Sequence, residues 1–423
     1  MKFDMDMIMD KNNIKSKKKV RVVGINLGDF GSTGYIMTQI GNRAIEHNFE
    51  YYIAVPEARA AIDHKIHNPI IIGRKFTRRL SAYASSITGL DSCFSVFSTL
   101  KFLKILNKIK PDMIHLHNMH FAYINLPLLY HYIKKHNIKV IWTLHDCWSF
   151  TGHCPHFIYE KCDKWKTGCY DCPRYNLYPK SMMDNSRFMW KIKKHLFCGI
   201  KSAVLITPSQ WLAKLVKESY LKEYPVMVIN NGIDLAEFKP IQSDFREKYN
   251  IGKDKYIILG VAFSWGERKG LDVFLELSKR LPDKYQIVLV GTNDAIDEQL
   301  PENIISIHRT YNKKELIEIY TAADVFVNAT REDNFPTVNI EALACGIPVI
   351  TFDTGGSPEC IDNTCGIVVA CDDLETLLKK INYICSEVPF SKEACINRAK
   401  KFDMNDRYED YIQVYEKFFL DEL

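Results

Sequence analysis

The stretch Arg331-Glu332-Asp333-Asn334-Phe335-Pro336-Thr337-Val338-Asn339-Ile340-Glu341-Ala342-Leu343-Ala344-Cys345-Gly346-Ile347-Pro348-Val349-Ile350 decides the fold. A β-branched run, Val325 to Ala329, enters it, Pro336 breaks the pattern in a turn, and a second run, Pro348 to Phe352, leaves it. Between the runs, Glu341 is read as opening a helix that Gly346 closes, since a glycine just past a periodic segment is a common helix stop. Strand, turn, helix, strand is the repeating unit of a parallel α/β sheet. Asp333 and Glu341, eight residues apart, bracket the turn. Carboxylates and backbone N–H groups then face one place, which suits phosphate and sugar hydroxyls.

The same alternation extends in both directions. Strands are expected at Val20 to Leu27, Tyr51 to Val55, Met113 to His117, Lys139 to Leu144, Val204 to Pro208 and Val226 to Asn230. A second series covers Tyr256 to Val261, Gln286 to Gly291, Ile304 to Ile307, Val325 to Ala329, Pro348 to Phe352 and Ile367 to Val369. Twelve strands imply two doubly wound parallel sheets, with ligands in the loops beyond the strands' carboxyl ends. Phe238, Lys239 and Pro240 interrupt the pattern between the series. The expected division is a basic tail over 1–19, a first Rossmann-like domain over 20–236 with a Cys-rich insertion at 145–175, a second over 237–402, and a closing helix over 403–423.

Composition agrees with a globular chain. Its 423 residues suit two or three domains, 47% are hydrophobic, and 20 Gly and 16 Pro exclude collagen-like or low-complexity readings. The net charge of +5 does not imply nucleic acid, but the segment from Arg59 to Lys139 holds thirteen Lys/Arg against Asp63, Asp91 and Asp112. No run approaches the roughly 18 apolar residues of a membrane span, and Met1 to Lys19 is polar without a signal core, so a cytosolic location is expected. The 13 cysteines are accordingly expected to be reduced.

Post-strand loops carry the remaining motifs. Gly28-Asp29-Phe30-Gly31-Ser32-Thr33-Gly34 follows the first strand; it reads as a phosphate-contacting turn or as a plain tight turn, because the dinucleotide fingerprint is absent. His115-Leu116-His117-Asn118-Met119-His120 ends the third strand, with His115 and His117 read as facing opposite sides, which argues against joint metal ligation. Trp265-Gly266-Glu267-Arg268-Lys269-Gly270 places two cations before a helix, the reverse of what the helix dipole favours, so it is either an anion site or a solvated basic turn. Thr354-Gly355-Gly356-Ser357-Pro358-Glu359 is a further anion-compatible loop.

In this order and spacing, the assembly resembles glycosyltransferase family 4, the retaining GT-B-fold enzymes that transfer sugar from a nucleotide donor. The resemblance rests on Gly28 to Gly34, His117, Asn231-Gly232-Ile233-Asp234 with Phe238, Lys269-Gly270, the block from Glu341 to Val349, and Gly355-Gly356 to Glu359, and it spans most of the chain. His145-Asp146-Cys147-Trp148-Ser149-Phe150-Thr151-Gly152-His153-Cys154 further resembles a subgroup associated with extracellular polysaccharide assembly. The resemblance implies that Glu341 holds the donor ribose, Asp333 meets the transferred sugar, Lys269 neutralises the departing diphosphate, and His117 lines the reacting face. Gly31 and Gly34 would border the donor phosphates, and Phe335, Pro336, Thr337 and Val338 would touch phosphates and sugar.

Two positions depart from the family. The acidic pair reads Asp333 and Glu341 with Glu332 one place early, and Phe263 stands where a phosphate-binding Arg is expected, leaving Arg268 as its substitute. The implied mechanism is front-face displacement without a carboxylate nucleophile, unlike the two-carboxylate glycoside hydrolases. It requires no cofactor. The implied partners are a nucleotide-sugar donor and a saccharide or lipid-linked acceptor. A non-catalytic nucleotide-sugar-binding protein is the alternative, and a nicotinamide-dependent oxidoreductase lacks its fingerprint.

Two features stand outside the motif set. Cys154, Cys162, Cys169 and Cys172 offer four soft ligands for a structural zinc, against reduced, packed or disulfide-bonded cysteines. Over Val96 to Ile109, Lys101, Lys104 and Lys108 share one helical sector with Phe102, Leu106 and Ile109 largely opposite, which suits an anionic membrane surface or a solvated lysine stripe.

Overall fold

The computed structural model describes residues 19–58, 66 and 69–423. The expected tail over 1–19 lies outside the described residues except for Lys19.

Two parallel sheets form the frame. The first contains β1 (Arg21–Ile25), β2 (Glu50–Val55), β3 (Ile70–Ile71), β4 (Met113–Leu116), β5 (Lys139–Thr143), β6 (Ala203–Thr207) and β7 (Val226–Val228), in the order β3-β2-β1-β4-β5-β6-β7. The second contains β8 (Tyr256–Val261), β9 (Tyr285–Val290), β10 (Ile304–Ile307), β11 (Val325–Asn328), β12 (Val349–Phe352) and β13 (Gly366–Val369), in the order β10-β9-β8-β11-β12-β13. All twelve expected strands are present. The two-residue β3 is additional: it extends only the β2 edge, and so short a run leaves no periodic signal.

Central strands are apolar on both faces because helices cover both. Val22, Val23 and Ile25 of β1 are buried, as is every residue of β4, β6, β11 and β12. The sheet order reverses beside β1 and β4 in the first half and beside β8 and β11 in the second, so both switch points open toward the loops that carry the motifs.

The C-terminal helix Met404–Phe419 covers one face of the first sheet, with Tyr408, Tyr411, Ile412, Tyr415 and Phe418 packed against Val22, Ile53, Ile141 and Ile206. The crossing from the second half is held by Ile233, which pairs with Asp403 in a parallel bridge, and by Gly232, where an added Cβ would lie 2.5 Å from Met404 Cα. His115 locks the helix in place: its Nδ1 lies 2.6 Å from Tyr415 Oη and its Nε2 2.8 Å from Thr143 Oγ1.

Candidate active site

The acidic turn is set by Pro336. With φ fixed near −74° it forms the N-cap of the helix Thr337–Ala344, which ends at Cys345 and Gly346, the latter at φ +81°. Glu341 therefore does not open the helix. It stands one turn in, because Pro336 suits the position ahead of the first turn and apolar Ile340, Ala342 and Leu343 already face the core. Burial raises the Glu341 carboxyl above its ordinary range, against hydrogen bonds from Tyr320 and Thr337, and Tyr320 Oη donates to Glu341 Oε2 at 3.1 Å. Tyr320 belongs to the preceding helix, and nothing in its sequence spacing links it to Glu341.

Asp333 faces Lys269, with Nζ 2.6 Å from Oδ2. Burial raises the Asp333 carboxyl, but Lys269, His156 and Arg268 outweigh it and hold it below its ordinary value. Glycines shape this corner. An added Cβ on Gly355, at φ +57°, would lie 1.8 Å from Asp333 O, and one on Gly356 would lie 2.0 Å from Asn334 O. The Gly355-Gly356 loop is thus packed against the turn, and Gly356 N donates to Asp333 O at 3.1 Å.

The neighbouring Glu332 is engaged elsewhere. It is 1% exposed and accepts from Tyr159 N at 3.0 Å and from Arg174 Nη1 at 3.3 and 3.4 Å. The Cys-rich insertion therefore reaches across the cleft and occupies Glu332, while Asp333 remains with Lys269. Arg268 Nη1 donates to Glu332 O at 3.2 Å, so the two cations ahead of the helix Leu271–Arg280 already have protein partners, and Phe263 is fully exposed.

From the first half, His117 stands just past β4. His115 and His117 lie on one face, with ring centroids 4.2 Å apart, correcting the expectation of opposite sides: strand side chains alternate with period two, so i and i+2 coincide. His117 Nδ1 lies 3.0 Å from His145 Nε2, and its Nε2 is buried with no hydrogen-bond partner among the described residues. Burial, then His115 and His145, hold His117 well below the ordinary histidine value, and burial takes His145 down to about 4. Both rings are neutral at neutral pH. Sequence reading did not assign His145 a role, yet Asn334 of the acidic turn donates to its carbonyl across the cleft.

The Gly-rich loop sits beside this histidine pair. Buried Asn26 ties the two together, donating to Gly28 O at 2.8 Å and accepting from Asn118 N at 3.1 Å. Gly31, at φ +71°, begins the helix α1 (Gly31–Glu46), and a Cβ on Gly34 would lie 2.5 Å from the Asp29 carbonyl carbon, so the loop folds tightly over the helix start. Across the cleft, Glu359 accepts from Gln210 N at 2.8 Å and Trp211 N at 2.7 Å, capping a first-half helix from the second half.

Among the described residues no group of three or more His, Cys, Asp or Glu is placed to hold a metal ion. Cys154 and Cys172 face each other, while Cys169 Sγ accepts from Gly152 N at 3.1 Å. The insertion is built around packed Phe150, Phe157 and Trp165 and the fully buried Lys193, which donates to Trp148 O at 2.8 Å and Thr151 O at 3.1 Å.

Two doubly wound sheets whose switch points open onto one cleft, closed behind by a returning C-terminal helix, form the GT-B architecture of glycosyltransferases. Comparison with known proteins agrees: the family described as Glycosyltransferase Family 4 matches residues 36–237, and that described as Glycosyl transferases group 1 matches residues 241–402. The chain belongs to glycosyltransferase family 4 and is a glycosyltransferase. It is 25% identical over 370 residues to WcaC of Escherichia coli (strain K12), provisionally named a colanic acid biosynthesis glycosyl transferase, covering 84% of this chain and 88% of the relative. It is 26% identical over 219 residues to the N,N'-diacetylbacillosaminyl-diphospho-undecaprenol alpha-1,3-N-acetylgalactosaminyltransferase of Campylobacter jejuni, covering 48% of this chain and 58% of that enzyme. The structure of Anabaena HepE in complex with UDP-glucose superposes with a TM-score of 0.64 at 13% identity, covering 94% of this chain and 99% of that one.

Proposed function

We propose that the protein is a retaining transferase that moves a sugar from a nucleoside-diphosphate donor to a hydroxyl of a saccharide or lipid-linked saccharide in surface polysaccharide assembly. The observation that carries this reading is the Lys269–Asp333 contact of 2.6 Å at the foot of the turn that leads to Glu341. A cation held by a carboxylate at the end of a strand is positioned to shift from that carboxylate to a departing diphosphate as its negative charge develops, where a low-dielectric cleft strengthens the effect. Glu341 then accepts from the ribose hydroxyls and Asp333 from hydroxyls of the transferred sugar. His117 offers its unpaired Nε2 to the sugar face, and Gly31, Gly34 and the turn from Phe335 to Val338 contribute backbone groups. The acceptor hydroxyl attacks from the side the diphosphate leaves.

The relatives support the finer points. HepE is seen with UDP-glucose, the Campylobacter enzyme is named for a diphospho-undecaprenol acceptor, and WcaC for colanic acid biosynthesis. A second reading, a non-catalytic nucleotide-sugar-binding protein, is favoured by the exposed Phe263 and by Arg268 being engaged with Glu332 O. Incubation with a panel of nucleotide sugars, with and without membrane extract, separates the two by nucleoside diphosphate release. Extract-dependent release supports the transferase; binding without release under any condition supports the second reading.

A further inference from the structure

The helix α2 (Lys75–Thr88) is turned inside out, and its neighbour α3 (Val96–Ile109) exposes an aromatic ring beside its lysines. In α2 the buried residues are Ser81 and Ser85, whereas Phe76, Leu80 and Tyr83, at i, i+4 and i+7, are 70%, 55% and 67% exposed. In α3 Phe102 and Leu106 fill the core as expected, but Phe97, on the same stripe as Lys101, Lys104 and Lys108, is 81% exposed. The two helices meet at their N-terminal ends, close to Phe76 and Phe97. Thr77 Oγ1 and Ser98 Oγ are 3.4 Å apart, and a Cβ on Gly73 would lie 2.6 Å from Ser98 Oγ. At the other end of α2, Met182 N donates to Ser86 O at 2.7 Å, which places the 72%-exposed Met182 on the same rim.

The charge of this surface is predominantly positive. Between 69 and 110 the chain carries Arg74, Lys75, Arg78, Arg79, Lys101, Lys104, Lys108 and Lys110, its one acid, Asp91, is buried, and Glu57 from outside that span pairs with Arg78 at 3.0 Å. Exposed apolar side chains in a contiguous band mark a docking face, and rings set among lysines fit the boundary between headgroups and acyl chains. A second copy of the chain would bring the same positive field against itself. Among the described residues no helix is long and apolar enough to cross a membrane.

We propose that the α2–α3 face docks onto an anionic lipid bilayer, with Phe76, Leu80, Tyr83 and Phe97 entering the interface and Lys101, Lys104 and Lys108 meeting the headgroups. The inner side of α2 borders a cavity of about 120 Å³ that runs from Ser85 and Ser86 to Phe121 and His153, beside the His120–Asp146 pair. A docked molecule thus holds this cavity one helix away from the lipid surface, which keeps a lipid-linked acceptor of the proposed reaction near the cleft; that last step rests on the function proposed above.

The test is sedimentation of the full-length protein with vesicles of phosphatidylcholine alone and of equal parts phosphatidylcholine and phosphatidylglycerol, at low salt. Wild type is expected to bind the anionic vesicles at least about tenfold better. Phe76→Ser/Leu80→Ser/Tyr83→Ser and, separately, Lys101→Ser/Lys104→Ser/Lys108→Ser should each lower that binding by about tenfold or more, with thermal melting unchanged because every altered residue is exposed. Wild type that binds neither vesicle, or an α2 variant that binds as wild type does, overturns the proposal. A dimer that dissociates on the α2 substitutions overturns it too, making a second copy the occupant. Vesicle binding uses neither donor nor acceptor, so failure of sugar transfer would leave it standing, and the α2 variant should keep wild-type turnover on a soluble acceptor.

Discussion

Lys269 Nζ lies 2.6 Å from Asp333 Oδ2, an ion pair made by residues 64 apart that places the cation of one post-strand loop on the acid of another. Donor binding should redirect Lys269 from the carboxylate to the diphosphate. Lys269→Ala should therefore lower kcat by roughly a hundredfold or more, as expected for loss of a group that stabilises developing charge. Asp333→Asn should also abolish most turnover. Steady-state nucleoside diphosphate release measures both, and wild-type rates in either variant would count against the assignment.

Glu332 and Asp333 should separate cleanly. Glu332 is bound by Arg174 and Tyr159 of the insertion, so Glu332→Gln removes a buried partner and should cost about 1–3 kcal/mol of stability while kcat changes by less than about threefold. Chemical denaturation and kinetics on the same preparations check this. A Glu332→Gln enzyme that is fully stable but inactive would reverse the roles of the two acids.

Gly355→Ala places a methyl where Asp333 O stands, 1.8 Å away, at a backbone φ of +57°. The turn must shift, and the expected result is about 1–3 kcal/mol of destabilisation together with a raised KM for donor. Thermal melting and donor saturation curves would show it; unchanged values in both would mean that the loop yields freely.

Stability should fall in mild acid. Burial holds His115 down to about 3 and His145 to about 4 in the folded state, below the ordinary value near 6.5. Between those values the unfolded chain binds more protons than the folded one, so stability is complete above about pH 6.5 and drops as pH falls, by up to about 1.4 kcal/mol per pH unit for each histidine. Urea midpoints measured from about pH 7 down to about pH 5 should decline steadily. A flat profile would show that these rings are not buried neutral.

Much of this was readable in the sequence because it is local. A β-branched run, a glycine or proline turn and a periodic segment recur within about 30 residues, and they located twelve strands and the acidic turn. Helix starts were less legible: Glu341 reads as the opening, whereas Pro336 fixes it at Thr337. The cross-cleft contacts were not legible at all. Tyr159 and Arg174 meet Glu332 over separations of 173 and 158 residues, and, on the face of the first sheet rather than across the cleft, Tyr415 meets His115 over 300, distances at which spacing carries no signal.

The central claim is that Glu341 and Lys269 hold one bound sugar nucleotide, and equilibrium titration of nucleoside diphosphates and their sugar esters against wild type, Glu341→Gln and Lys269→Ala tests it most directly. Saturable binding by wild type of at least one base, weakened about tenfold or more in both variants, is the expected result. Equal affinity in all three proteins would contradict it.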